Sequence, residues 1–180
     1  DLGLTEADYA WIINIFTITY AAGKFISGKV FDKVGTKIGF VLSIFFWSLA
    51  SLLHFFARGA ASLGIFRGLL GVAEAGNWPG AVKNNAEWFP VKERTLAQGI
   101  FNAGAGIGSI IAAPTIAELF GAYGWRLTFI IIGIVGFLWI IPWWIVNKKP
   151  PQEHPWITEE EKTHIISGMQ ADLQSDPQSK

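Results

Sequence analysis

Long apolar runs, broken at intervals by short polar turns, organise this chain. Mostly apolar residues fill five stretches near 9–30, 38–57, 62–82, 95–117 and 126–146. Each is about as long as the ~20 apolar residues a helix needs to cross a bilayer core, so the pattern predicts five membrane-spanning helices. The separators carry turn or charge signals: Asp32 to Lys37 with Gly35, Arg58 to Ala61 with Gly59, Phe89 to Arg94 with Pro90, and Phe120 to Trp125 with two glycines. Loops this short make neighbouring helices antiparallel. Thr5-Glu6-Ala7-Asp8 forms a capping-box pattern ahead of the first span, and Thr158-Glu159-Glu160-Glu161 forms another after Pro155. The second predicts a short amphipathic helix at 159–169, with Ile165, Ile166 and Met169 on one face. Residues 1–146 thus read as a membrane bundle and 147–180 as a linker.

Composition agrees with a membrane class. The 180 residues are 51% hydrophobic, with nine Trp and fourteen Phe. Net charge is zero, which gives no footing for a nucleic-acid partner. The absence of cysteine excludes disulfides and thiolate chemistry, and His54, His154 and His164 have no ligand-like spacing, so neither a metal site nor a cofactor is expected. No basic segment opens the chain as a signal peptide would, and no initiator Met stands at its start, so it reads as a fragment. One set of span flanks holds Lys29, Lys33, Lys37, Lys83, Lys92, Arg94, Lys148 and Lys149; the other holds only Arg58 and Arg126. Positive residues stay on the cytoplasmic side, which puts Asp1 outside and the tail inside.

Charges within the spans are costly, about 2.5–3.5 kcal/mol each on insertion scales, and three lie deep: Lys24, Arg67 and Glu74. Arg67 and Glu74 are seven residues apart, two helical turns, and so share one face roughly 10 Å apart along the axis. That exceeds direct salt-bridge reach for most rotamers. A fixed cation and a titratable acid beside one cavity suit proton-coupled uptake of an anion; a structural charge network is the alternative. Lys24 shares a narrow arc with Asn14, Thr17, Ala21 and Gly28, and either adds a second cation for a substrate or snorkels to the surface. Asn102 lies on a face of small and polar residues and is a candidate for substrate hydroxyls. Tyr20, Asn77 and Trp78 are further pocket candidates. His54, near one end of its span, reads as a satisfied interface residue, with a proton relay as the alternative.

The turn Gly28-Lys29-Val30-Phe31-Asp32-Lys33-Val34-Gly35-Thr36-Lys37 resembles the G-x-x-x-D-[RK]-x-G-x-[RK] signature of major facilitator superfamily transporters. In that registration the five spans resemble helices two to six of twelve. Glu74-Ala75-Gly76-Asn77-Trp78-Pro79-Gly80, Glu87-Trp88-Phe89-Pro90-Val91-Lys92-Glu93-Arg94 and Gly99-Ile100-Phe101-Asn102-Ala103-Gly104 are similar to the anion:cation symporters, of the bacterial hexuronate and galactonate type.

The resemblance implies an all-α inner-membrane symporter that moves a sugar acid with a proton by alternating access. It is a transporter and not an enzyme, and it lacks here a first helix and a C-terminal half. It further implies that Arg67 binds a substrate carboxylate, Glu74 couples the proton and Asn102 lines the sugar-acid site. Gly28, Asp32, Lys33, Gly35 and Lys37 would latch one conformation, with Asp32 facing a helix end in the other half. Lys24 departs from the pattern: Gly23-Lys24-Phe25 before Gly28 is similar instead to organophosphate:phosphate antiporters, and a cation there suits a more highly charged anion. That antiporter and a non-transporting membrane receptor are the alternative functions.

Overall fold

A computed structural model describes residues 2–175, and among these the secondary structure is helical with no strand. Five α-helices follow in order: α1 (Glu6–Leu53), α2 (Ala60–Glu74), α3 (Asn77–Trp88), α4 (Val91–Val146) and α5 (Glu159–Ser175). The stretches Glu6–Phe56 and Val91–Val146 are long and apolar enough to cross a membrane. A straight helix of 48 residues, the length of α1, would run about 72 Å, more than twice a bilayer core. It does not run straight. Gly35 (φ 80°, ψ 165°) breaks α1 and Gly124 (φ 75°, ψ 166°) breaks α4, in a backbone region that only glycine enters without strain. The arms of α1 fold back on each other, with Phe31 edge-to-face on Phe40 at 5.4 Å and Gly76 wedged between Ser27 and Ser43.

The third apolar run is divided where the sequence pattern predicts one continuous span: α2 stops at Glu74 and α3 starts at Asn77. Pro79 supplies the reason. A proline ring clashes with the carbonyl four residues back, here that of Ala75, and cannot donate to it.

Glycines set how the helices meet. Gly64 lies against Trp11, Gly68 against Ile15, Gly71 against Phe16 and Thr19, and Ala75 against Gly23. Residue numbers rise together along both helices, so α2 runs parallel to the first arm of α1, with small residues permitting close approach. A Cβ on Gly71 would stand 2.7 Å from the Phe16 carbonyl oxygen and 3.1 Å from the Tyr20 nitrogen, both backbone atoms that cannot turn aside. Gly71→Ala is therefore expected to push the pair apart and cost about 1–3 kcal/mol despite alanine's better helix propensity. Thermal melting of the detergent-solubilised protein checks this. Gly99→Ala is the control, since a Cβ there meets nothing within 4 Å and should leave the melting point equal or higher.

The second arms of α1 and α4 run antiparallel. Arg126 donates to the carbonyls of Phe55 and Ala57, Gly133 and Gly136 lie on Ser48, Phe137 meets Phe45 at 5.4 Å, and Trp143 meets Phe40 at 4.7 Å. The buried core of Phe31, Phe40 and Ala81, with Trp143 packed on it, closes one end. The first arm of α4 is the most open element, its residues 99–118 exposed, and it touches α3 through Trp78 and Phe101, 5.3 Å apart.

Both capping boxes form. The Thr5 amide and hydroxyl donate to Asp8, and the Thr158 amide and hydroxyl donate to Glu161. These bonds hold the Asp8 and Glu161 carboxyls below their ordinary values, the backbone donor being the larger cause in each. The second helix runs Glu159–Ser175, beyond the 159–169 expected, and it docks across the start of α4. His164 Nε2 lies 2.6 Å from Glu93 Oε1, and the Val91 amide donates to Asp172 at 2.7 Å. Pro90 offers that helix end no side-chain cap, so Asp172 supplies the acceptor.

Candidate functional site

Arg67 and Glu74 sit on α2, on the flank of the glycine stripe that packs on α1. Both are half-buried. They interact electrostatically, but no salt bridge joins them among the described residues. Arg67 forms part of the wall of a cavity of about 700 Å³, bounded by Tyr9, Ile13 and Phe16 of α1, Leu63 of α2, and Phe120, Trp125 and Phe129 of α4. Its guanidinium carbon lies 5.6 Å from the Phe129 ring centre. The chamber is thus apolar, its wall shared between aromatic and aliphatic side chains with one permanent cation, a setting in which an anion's charge is paired while its carbon skeleton meets apolar surface.

The other candidates lie outside that wall, in two groups. Tyr20 stacks on Phe16 at 5.8 Å and carries the Lys24 ammonium 4.6 Å over its ring, so Lys24 extends an aromatic ladder that starts at the cavity. Lys24 itself is exposed. Asn102 accepts from Gln98, whose own amide oxygen accepts from Asn85 on α3, while Trp78 packs on Phe101. This chain of amides ties α3 to α4. Asn77 is half-buried at the first turn of α3. Arg67 and Asn102 are therefore not brought to one pocket wall.

The signature turn is held within the chain itself. Asp32 pairs with Lys83 of α3 at 2.6 Å, and Lys83 also donates to the Phe31 carbonyl. Thr36 donates to Glu87 at 2.5 Å. Lys37 donates to the Lys148 carbonyl and lies 4.2 Å over the Trp144 ring, while Trp143 donates back to the Lys37 carbonyl. The turn thus binds α1 to α3 and to the end of α4. Asp32, expected to face a helix end in a separate half, has its partner 51 residues along this chain. The sequence pattern marks Lys83 only as a positive flank, and its place four residues before Glu87 is the available signal for this second role. Lys33 is exposed, Gly28 half-buried, and Gly35 makes the break.

Sequence reasoning also misses the cavity wall and the setting of His54. Expected as a satisfied interface residue, His54 is fully buried, with no hydrogen-bond partner for Nε2 among the described residues.

A family model described as Major Facilitator Superfamily matches residues 1–177. The chain belongs to the major facilitator superfamily. The curated relatives it matches are named as transporters and not as enzymes. Among similar proteins is the hexuronate transporter of Escherichia coli (strain K12), 35% identical over 175 residues, which cover 97% of this chain and 40% of that protein. The galacturonate transporter of Dickeya chrysanthemi is 32% identical over 174 residues, covering 97% of this chain and 50% of that protein. The probable galactarate/D-glucarate transporter GudP of Bacillus subtilis (strain 168) is 34% identical over 174 residues, covering 93% and 38%. The chain spans half or less of the length of these relatives.

Proposed function

We propose that this chain is the substrate-gripping part of a proton-coupled symporter for sugar acids of the hexuronate or aldonate type, working by alternating access in the cell inner membrane. The observation that carries the reading is Arg67 in the wall of an apolar cavity, with Glu74 two turns along the same helix and no salt bridge tying them together among the described residues. An untied cation is available to a carboxylate, and an untied acid is available to a proton. The relatives named for hexuronate, galacturonate and galactarate/D-glucarate support a polyhydroxylated carboxylate as the ligand class.

Five crossings follow from dividing α1 at Gly35 and α4 at Gly124 and taking α2 with α3 as one. The start of α1 then lies outside, the lysine-rich turns and residues 147–175 lie in the cytoplasm, and a further helix and a second half complete the transporter; Asp1 and residues 176–180 lie outside the described residues. In that frame Asn102, Tyr20, Asn77, Trp78 and Lys24 contact the sugar acid beyond its carboxylate. Gly28, Asp32, Lys33, Gly35 and Lys37 hold the cytoplasmic end, with the Asp32–Lys83 pair as the bond that alternates.

The full-length protein in vesicles tests this. An inside-alkaline gradient should drive accumulation of D-galacturonate or D-glucuronate, and a protonophore should abolish it. Lys24, a cation held over Tyr20 at an exposed position, favours the organophosphate:phosphate antiporter as the second reading. Flux stimulated by phosphate on the far side and indifferent to the protonophore would establish that one instead.

A further inference from the structure

The cavity beside Arg67 holds two polar groups that the roles above leave unused. Among the described residues lining it, Arg67, Tyr9 and Trp125 alone carry polar side-chain atoms, and the rest of the wall is hydrocarbon. No hydrogen bond engages the Tyr9 hydroxyl or the Trp125 indole N–H among the described residues. Tyr9 lies within electrostatic reach of Arg67, and an ionised Tyr9 would act on the guanidinium more strongly than Glu74 does, so its hydroxyl is on the guanidinium's side of the chamber. Trp125 is fixed from two directions. The Arg126 guanidinium carbon lies 4.5 Å from its ring centre, with Arg126 itself anchored on the carbonyls of Phe55 and Ala57, and Phe129 meets it edge-on at 6.5 Å. Phe129 is also the ring that Arg67 lies against, so a cation, a plain ring and a ring with a donor follow one another along the wall. Tyrosine and tryptophan also collect at membrane interfaces, facing lipid headgroups, but these two line a concave chamber that they share with Arg67. An apolar hollow with a few placed polar groups is the usual form of a small-molecule site.

We propose that Tyr9 and Trp125 determine specificity: with a carboxylate on Arg67, the Tyr9 hydroxyl and the Trp125 N–H bond hydroxyls of the same acid and select it over acids with a bare hydrocarbon skeleton. The phenol donates or accepts and the indole only donates, so the two together fit hydroxyl oxygens, while the apolar remainder of the wall meets the C–H faces of a sugar ring. The inference rests on the reading of Arg67 as the carboxylate's partner. It adds to that reading the means by which hydroxyls are recognised.

The test uses the full-length protein, titrated with D-galacturonate and with its monodeoxy analogues. Tyr9→Phe and Trp125→Phe each keep an aromatic ring and remove one hydrogen-bonding group. Each is expected to weaken D-galacturonate binding by about 2- to 12-fold, the worth of one neutral hydrogen bond. For each variant one deoxy analogue should bind variant and native protein alike, because the hydroxyl that met the lost group is already missing from it. A merely structural role would weaken every probe by the same factor, and an interfacial anchor would weaken none; either result overturns the proposal. Should the phenylalanine variants not fold, Tyr9→Cys decides: alkylation of that thiol by N-ethylmaleimide should be slowed by saturating D-galacturonate, and an unslowed reaction overturns the proposal. Arg67→Gln separates the two readings. Undiminished binding in that variant removes the assignment of Arg67 itself, whereas lost binding there, with native affinity for every probe in Tyr9→Phe and Trp125→Phe, removes only the recognition of hydroxyls.

Discussion

Arg67→Lys in the full-length protein is expected to weaken sugar-acid binding by about 10- to 100-fold, and Arg67→Gln by more. A guanidinium presents two parallel N–H groups to a carboxylate, and lysine replaces that fork with a single point charge on a flexible stem. A hydrogen bond to a charged group contributes about 1.5–3 kcal/mol, and each 1.4 kcal/mol is tenfold in affinity, so loss of one arm gives the stated range. Glutamine loses the charge as well as the second arm. Neither variant should unfold the protein, because the contact that holds Arg67 in place is with the face of Phe129 rather than with a buried carboxylate. Isothermal titration with D-galacturonate, alongside a melting curve, checks both halves. Affinity within about threefold of native for Arg67→Lys, less than the loss of one such bond, would mean the carboxylate is bound elsewhere, with Lys24 the next residue to examine.

The features legible in the amino-acid sequence are the local ones. Thr5 and Thr158 cap their helices because each box is completed three residues away, and Gly35 and Gly124 stand in the separators that charge or paired glycines mark. Arg67 and Glu74 share a face because seven residues make two turns, a relation helix geometry fixes unaided. The division of α2 from α3 is also within reach: Pro79 and its clash with the Ala75 carbonyl stand in the sequence, but an unbroken apolar run obscures them. What stays hidden depends on partners distant along the chain. Lys83 reaches Asp32 across 51 residues, and Arg126 reaches Phe55 and Ala57 across 71 and 69. His54 is the clearest case, because its position near the end of an apolar run suggests an interface. Its burial comes from Phe66 and Phe129, which only packing brings to it.

Glu74→Gln carries the second large expectation, because it separates binding from driving. Glutamine has nearly the shape of protonated glutamic acid and cannot ionise, so the variant copies one state of the proposed switch permanently. Arg67 stands two turns away without a salt bridge to Glu74, so fixing Glu74 neutral should leave the guanidinium free to hold an anion. Vesicles carrying the variant should then exchange labelled for unlabelled D-galacturonate at a substantial fraction of the native rate. An imposed proton gradient should produce no accumulation above equilibrium. The physical basis is linkage: a gradient performs work only through a group whose protonation and substrate occupancy favour one another, and a group that cannot titrate transmits none. Loss of exchange together with accumulation would place Glu74 in anion binding rather than coupling. Accumulation that persists and still collapses with a protonophore would move the coupling acid out of α2.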